Sequence, residues 1–194
     1  MKKIKKHITT EEEKRLIGHL VKKKKKSGKS VNVYFNKRVE STGKTKYVSG
    51  SFYSKKNNAS YTYRSSYELM CFIKLEQNPD VIQYLSETMS IPYIDSKGLT
   101  RKYIPDLLVL FADGSMCIWE IKPLAMLKDA DVKAKAAACK KHLRDAYKER
   151  NIKYEFITEN KLFKNAKEYT DFLNSIKGKD FSKKNVHSFS SETL

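Results

Sequence analysis

Two strongly apolar segments, Tyr103–Phe111 and Met116–Ile121, are joined by the short connection Ala112-Asp113-Gly114. Their aliphatic, β-branched and aromatic side chains favour extended structure, and so short a link favours an antiparallel hairpin. Each segment also carries an acid inside its apolar run: Asp106 after Ile104-Pro105, and Glu120 after Ile118-Trp119. Burying a carboxylate without a partner is costly, so both acids need a reason to be there. If the three connecting residues form a loop with Gly114 left-handed, opposed residue numbers sum to 226 and Asp106 faces Glu120 across the ladder. Their β-carbons would then stand about 4.5–5.5 Å apart. A two-residue Asp113-Gly114 turn would instead pair Asp106 with Ile121 and send the acids to opposite faces. Lys122 shares a face with Glu120 in either case, because side chains alternate along a strand.

Around this hairpin the pattern is that of one α/β domain. A helix is expected from Ser65 or Ser66 to Gln77, with Leu69, Phe72, Ile73 and Leu75 on its apolar side and Asn78-Pro79 ending it. Met89 to Ile94 reads as a short strand that Pro92 places at an edge or a strand start. Val132 to Arg150 is an Ala-rich helix, Tyr154 to Thr158 a further strand, and Leu162 to Ile176 a last helix. Lys55 to Ser60 reads as polar connector, and the chain from Lys177 as a loose polar tail. Before the domain, Thr10 to Lys26 suggests a short helix, and Val31 to Tyr53 a hairpin around Ser41-Thr42-Gly43-Lys44. The expected division is therefore a basic arm over residues 1–48, a core over 49–176, and a tail over 177–194.

Charge is distributed unevenly. The 194 residues hold 40 Lys+Arg against 22 Asp+Glu, a net +18, and residues 1–64 account for +15 of it. The run Lys22, Lys23, Lys24, Lys25 and Lys26 taken alone is an ordinary solvated block. The basic region continues, however, interleaved with Tyr34, Phe35, Tyr47, Phe52, Tyr53, Tyr61 and Tyr63, and cations among aromatic faces suit a nucleic-acid backbone with stacked bases. DNA is the expected partner. No apolar run approaches the roughly 18 residues that span a bilayer, so no membrane partner is expected. No apolar stretch marks a secretory signal either. Cys71, Cys117 and Cys139 are too far apart for a zinc or disulfide framework and read as reduced core thiols, which points to the cytoplasm. Trp119, pointing away from Glu120, also reads as core. The four histidines show no ligand spacing, and Gly28-Lys29-Ser30 lacks the upstream glycine of a P-loop.

Two carboxylates with a neighbouring lysine are hard oxygen ligands for Mg²⁺ or Mn²⁺, ions that accept a substrate phosphate. The lysine can orient water and offset charge at the phosphorus. The bland alternative is an ion-pair cluster on a solvent-facing hairpin.

These residues also resemble a known family. Pro105-Asp106 followed by Glu120-Ile121-Lys122 on the next strand resembles the PD-(D/E)xK nuclease superfamily, the restriction-endonuclease-like fold. The likeness extends over Tyr63-Arg64-Ser65-Ser66-Tyr67-Glu68, Asn78-Pro79-Asp80-Val81, Ser90-Ile91-Pro92-Tyr93 and Thr158-Glu159-Asn160. Over roughly residues 50 to 162 the chain is similar to the TnsA endonuclease domain, and more so to the head completion nucleases of tailed phages. The resemblance implies an α/β restriction-endonuclease-like core, a mixed central sheet flanked by helices, behind a basic N-terminal extension that has no family counterpart. It implies metal-dependent hydrolysis of DNA, with Glu68, Asp106, Glu120 and Lys122 catalytic. Asp106, Glu120 and the Ile121 carbonyl would hold Mg²⁺ or Mn²⁺, with Glu68 as a further ligand or organiser. Arg64, Ser65 and the Lys22–Lys26 run would contact DNA. The protein partners it implies are phage head or portal proteins or a partner transposase, and the setting is host cytoplasm or the virion. A DNA-binding head completion factor whose nuclease site is unused is the competing class.

Overall fold

The computed structural model describes residues 48–150 and 152–182. The arm's helix, the expected hairpin up to residue 47 and the Lys22–Lys26 run lie outside the described residues; the described end of that hairpin, Gly50–Tyr53, pairs instead with Ser60–Tyr63.

The hairpin at the centre of the sequence forms as the longer loop requires. Strand β6 (Leu107–Phe111) pairs antiparallel with β7 (Met116–Ile121), and Leu107 faces Trp119, Leu108 faces Ile118, and Val109 faces Cys117. Every pair sums to 226. Gly114 has φ +82°, a conformation that costs a residue with a Cβ, and its N–H donates to the Phe111 carbonyl at 3.0 Å. The Phe111 N–H in turn closes on the Ser115 carbonyl at 2.9 Å. Strands β3 (Val81–Ser86) and β8 (Lys153–Ile157) extend the hairpin into a four-stranded sheet ordered β3-β6-β7-β8, with β8 parallel to β7 and the other pairs antiparallel. This is the expected mixed sheet.

Alternation along the strands then assigns the two faces. Leu107, Val109 and Ile121 face helix α1 (Ser66–Gln77), which the Ser65 side chain caps, and a small hairpin of β1 (Gly50–Ser54) and β2 (Ala59–Tyr63). Leu108, Leu110 and Ile118 face helix α2 (Ala130–Ala146), capped by Asp129, and a second hairpin of β4 (Ile91–Ile94) and β5 (Thr100–Tyr103). Cys71 and Cys139 are fully buried on the two sides and Cys117 is buried in β7, as expected of core thiols. Short helices α3 (Glu159–Leu162) and α4 (Ala166–Ser175) pack on the α1 side through Leu162 and Phe172.

Several expectations are corrected. Tyr103–Phe111 is two strands: Ile104-Pro105-Asp106 breaks it, since proline lacks an N–H and biases its predecessor away from regular pairing. Strand β3 follows directly on Asn78-Pro79-Asp80 and has no clean alternation to announce it. The last helix is split at Phe163, with Asn165 capping a fresh start. Lys55 to Ser60 is mostly a tight turn, with its last two residues opening β2. Phe52, Tyr61 and Tyr63, assigned above to DNA, are buried in the core beside Phe72 and Tyr84. The segment after residue 177 is also not wholly loose, because Phe181 is buried and its carbonyl accepts the Tyr53 N–H at 2.8 Å.

Candidate active site

Glu120 lies near the end of β7 and Lys122 just beyond it, while Asp106 sits in the break before β6, past the last ladder pair Leu107–Trp119, and reaches across to the Ile121 N–H rather than standing paired with Glu120. The Lys122 ammonium lies 2.9 Å from Glu120 Oε1 and 3.5 Å from Asp106 Oδ2, and donates to the Ile121 carbonyl at 3.1 Å. Asp106 Oδ2 also accepts the Ile121 N–H at 2.7 Å. Three oxygens from three separate residues thus converge on one cationic atom. Glu120 is nearly closed off, its side chain 4% exposed, while Asp106 at 29% and Lys122 at 24% remain open to solvent.

Burial and the neighbouring Glu120 carboxylate push the Asp106 carboxyl up to about 7, against the pull of Lys122 and the Ile121 N–H. Burial alone would lower the Lys122 ammonium, but Asp106 and Glu120 reverse the sign and hold it above its ordinary value. Two acids that repel each other around a single cation are short of positive charge. Among the described residues no three His, Cys, Asp or Glu side chains form a ready metal cage. The oxygen set that does exist, two carboxylates and the Ile121 carbonyl, has the hard-donor chemistry that suits Mg²⁺ or Mn²⁺.

Glu68 stands apart from this set. It lies in the first turn of α1, where its N–H is capped by Ser65 Oγ at 3.1 Å and its carboxylate accepts the Arg64 N–H at 2.9 Å and the Ser65 hydroxyl at 3.2 Å. It reaches Asp106 through its field, adding to the rise in that carboxyl's proton affinity. Arg64 is exposed and pairs with Glu87 at 2.9 Å. Glu87 in turn donates its N–H to the Asp106 carbonyl from a left-handed φ of +51°.

Two tyrosines complete the site, and neither was legible beforehand. The Tyr103 hydroxyl donates to Glu120 Oε2, and Tyr154 from β8 stands 3.3 Å from the Tyr103 oxygen. Burial first, and then the Glu120 charge, raise Tyr103 far above the ordinary phenol range. It therefore stays a donor at any working pH. Its position two residues before Pro105-Asp106 was the available signal, but it reads as an interior residue of one long strand. A concavity of about 1390 Å³ lies elsewhere; it runs from the Asp113 turn to Tyr147 and includes neither Asp106 nor Glu120.

Comparison with known proteins finds likeness to nucleases over this end of the sheet. Residues 78–159 match the family described as TnsA-like endonuclease N terminal, a restriction-endonuclease-like domain. That segment runs from the end of α1 through β8 and contains Asp106, Glu120 and Lys122. The chain is also similar to the head completion nuclease of Enterobacteria phage T4, 40% identical over 63 residues, which is 32% of this chain and 42% of that relative. The chain therefore spans less than half the length of the curated relative it matches. Both resemblances drawn from the sequence are found again here, and the mixed sheet flanked by helices agrees with the fold they imply.

Proposed function

We propose that the protein is a metal-dependent DNA endonuclease that hydrolyses phosphodiester bonds, acting in phage head completion or DNA packaging. The observation that carries this reading is the convergence of Asp106, Glu120 and the Ile121 carbonyl on one cationic atom, inside a segment that matches an endonuclease family. Those three groups would hold Mg²⁺ or Mn²⁺, with Glu68 ordering the Asp106 side from α1. When bound, such an ion lowers the pKa of water and shields charge gathering on the phosphoryl oxygens.

The chain's own groups supply the rest. Tyr103 fixes one oxygen of Glu120, leaving the other to face Lys122. Lys122 stays protonated between its acids, so it serves as an electrostatic partner for the phosphoryl oxygens and an orienting donor for the attacking water. The basic arm over residues 1–48, with Lys22–Lys26, and Arg64 and Ser65 at the start of α1 would hold the DNA backbone around the nuclease domain over 49–176. Phage head or portal proteins would be the other partners, in the host cytoplasm or the virion.

The test is conversion of supercoiled plasmid to nicked or linear DNA with Mg²⁺ or Mn²⁺, stopped by chelator and by Asp106→Ala or Glu120→Ala. Identical behaviour of wild type and Asp106→Ala on single-stranded, duplex and branched DNA would remove the nuclease reading and leave a DNA-binding head completion factor. A second reading, an endonuclease subunit cutting transposon ends beside a partner transposase, is favoured by the TnsA-like match. It requires cutting to depend on that partner.

A further inference from the structure

The five large hydrophobic side chains that stand exposed among the described residues are not scattered. Ile94, Leu99 and Ile104 belong to the β4–β5 hairpin and its exit, and Leu124 and Met126 to a single 3₁₀ turn, Leu124–Lys128, directly after the active-site strand. They are 47–65% exposed. The 3₁₀ turn is the stranger case: four of its five residues are apolar, yet none is buried. An element of that composition normally forms because it covers a core, and here only Leu127 is even half-buried while Leu124, Ala125 and Met126 face outward. It is nonetheless held firmly, because the Leu124 N–H donates to Glu159 Oε2 at 2.8 Å and the Met126 N–H to the Pro123 carbonyl at 2.9 Å.

Position and charge both say what meets it. Ile104 lies two residues before Asp106, and Leu124 two residues after Lys122, so the two apolar side chains flank the ion-paired centre along the chain. Two residues of chain span at most about 7 Å, so a polymer whose backbone reaches Asp106 and Lys122 passes close to both apolar side chains. The acids nearby are already engaged: Asp95 with Arg101, Asp131 with the Ser96 N–H, and Asp129 with the Val132 N–H. By contrast, no ion pair among the described residues engages Lys97, Lys102, Lys128 or Lys133, all exposed. Apolar side chains set among uncommitted cations match a stacked polyanion better than the apolar core of a protein interface.

We infer that Leu124 and Met126 form a wedge that enters between base steps beside the scissile phosphate, so that the preferred substrate is duplex DNA already weakened in stacking, by a mismatch, a nick or a branch. This rests on the nuclease reading for the position of the phosphate. Unstacking a paired step costs a few kcal/mol, and a distorted step costs less, so a wedge converts distortion into affinity. Glu159 acts as a positioning residue that keeps the turn at the mouth of the site.

The test uses the full chain, with Ca²⁺ to hold binding apart from cleavage, and short duplexes carrying 2-aminopurine beside either an intact step or a single mismatch. Binding should raise the fluorescence and favour the mismatched duplex about tenfold. The double variant Leu124→Ser/Met126→Ser, altered only at exposed positions, should lose both effects while keeping its affinity for the intact duplex. Flat fluorescence in a formed complex, a preference that survives in the double variant, or no binding to DNA would each overturn the wedge. If plasmid is cut while fluorescence stays flat, the nuclease reading stands and the patch belongs to a protein partner. If fluorescence rises but no divalent cation supports cutting, the wedge stands and the nuclease reading falls.

Discussion

Glu76 and Glu120 are two partly or wholly enclosed carboxylates, each bonded to a tyrosine, on opposite sides of one sheet. Glu76, near the end of α1, accepts hydrogen bonds from the Ser54 and Tyr84 hydroxyls and from the Lys55 and Lys56 N–H groups. Those direct donors are neutral, they come from the β1–β2 hairpin and β3, and together they tie three elements to one helix. Glu120 has one neutral donor, Tyr103, and then a lysine it shares with a second acid. Dispersed neutral donors make a joint, whereas two acids forced around one cation leave a local deficit of positive charge that a ligand can relieve. The charge of the immediate partners, more than burial, separates a structural acid from a candidate catalytic one.

That contrast can be broken by mutation. The largest expected effect is on cutting: Asp106→Ala or Glu120→Ala should abolish plasmid cleavage, a loss of several kcal/mol in transition-state stabilisation. DNA affinity should survive or improve as negative charge leaves, which filter binding would measure. Lys122→Ala should follow closely, losing most of the rate while still binding the divalent ion by calorimetry. Retention of full activity by any of the three would collapse the distinction from Glu76.

Tyr103→Phe tests whether the neutral donor matters at Glu120. Loss of a group that orients a metal ligand typically costs about 10–100-fold in metal affinity or activity, and calorimetric titration of the divalent ion should show that weakening without any change in DNA affinity. Glu76→Ala should do the reverse. Four donors lose their acceptor, so chemical denaturation should show a stability loss of about 2 kcal/mol, with cleavage per folded molecule unchanged. The smallest effect is expected from the basic arm. Deleting residues 1–30 removes 12 Lys and Arg, which should weaken DNA binding and flatten its dependence on salt. An unchanged salt slope would assign the arm to another partner.

The candidate site was legible to the extent that it depends on short-range rules. Apolar runs separated by Ala112-Asp113-Gly114 allow few hairpins, and the longer loop predicts the observed register without reference to the rest of the chain. Asp106, Glu120 and Lys122 follow from that register, and the Ser65 cap from the start of an amphipathic helix. The error that bears most on function concerns aromatic residues. The aromatic residues Phe52, Tyr61 and Tyr63 sit in a basic stretch and look like a nucleic-acid surface, but they alternate with the polar side chains of a hairpin and fill the core over α1. Local composition cannot tell an aromatic that stacks on a base from one that stacks on Phe72.

Sequence by itself thus singled out the two carboxylates and the lysine, narrowed the connection between them to two turns and indicated the α/β class, because each depends on neighbours within about fifteen residues along the chain. Tertiary structure alone decided that Tyr103 and Tyr154 meet at Glu120, that Glu68 answers to its own helix cap before it answers to Asp106, and that the Leu124–Lys128 turn stays uncovered beside the site. Those outcomes depend on where β8, α1 and the β4–β5 hairpin pack against the sheet, and packing is settled by burial summed over the whole core rather than by any pattern within one segment.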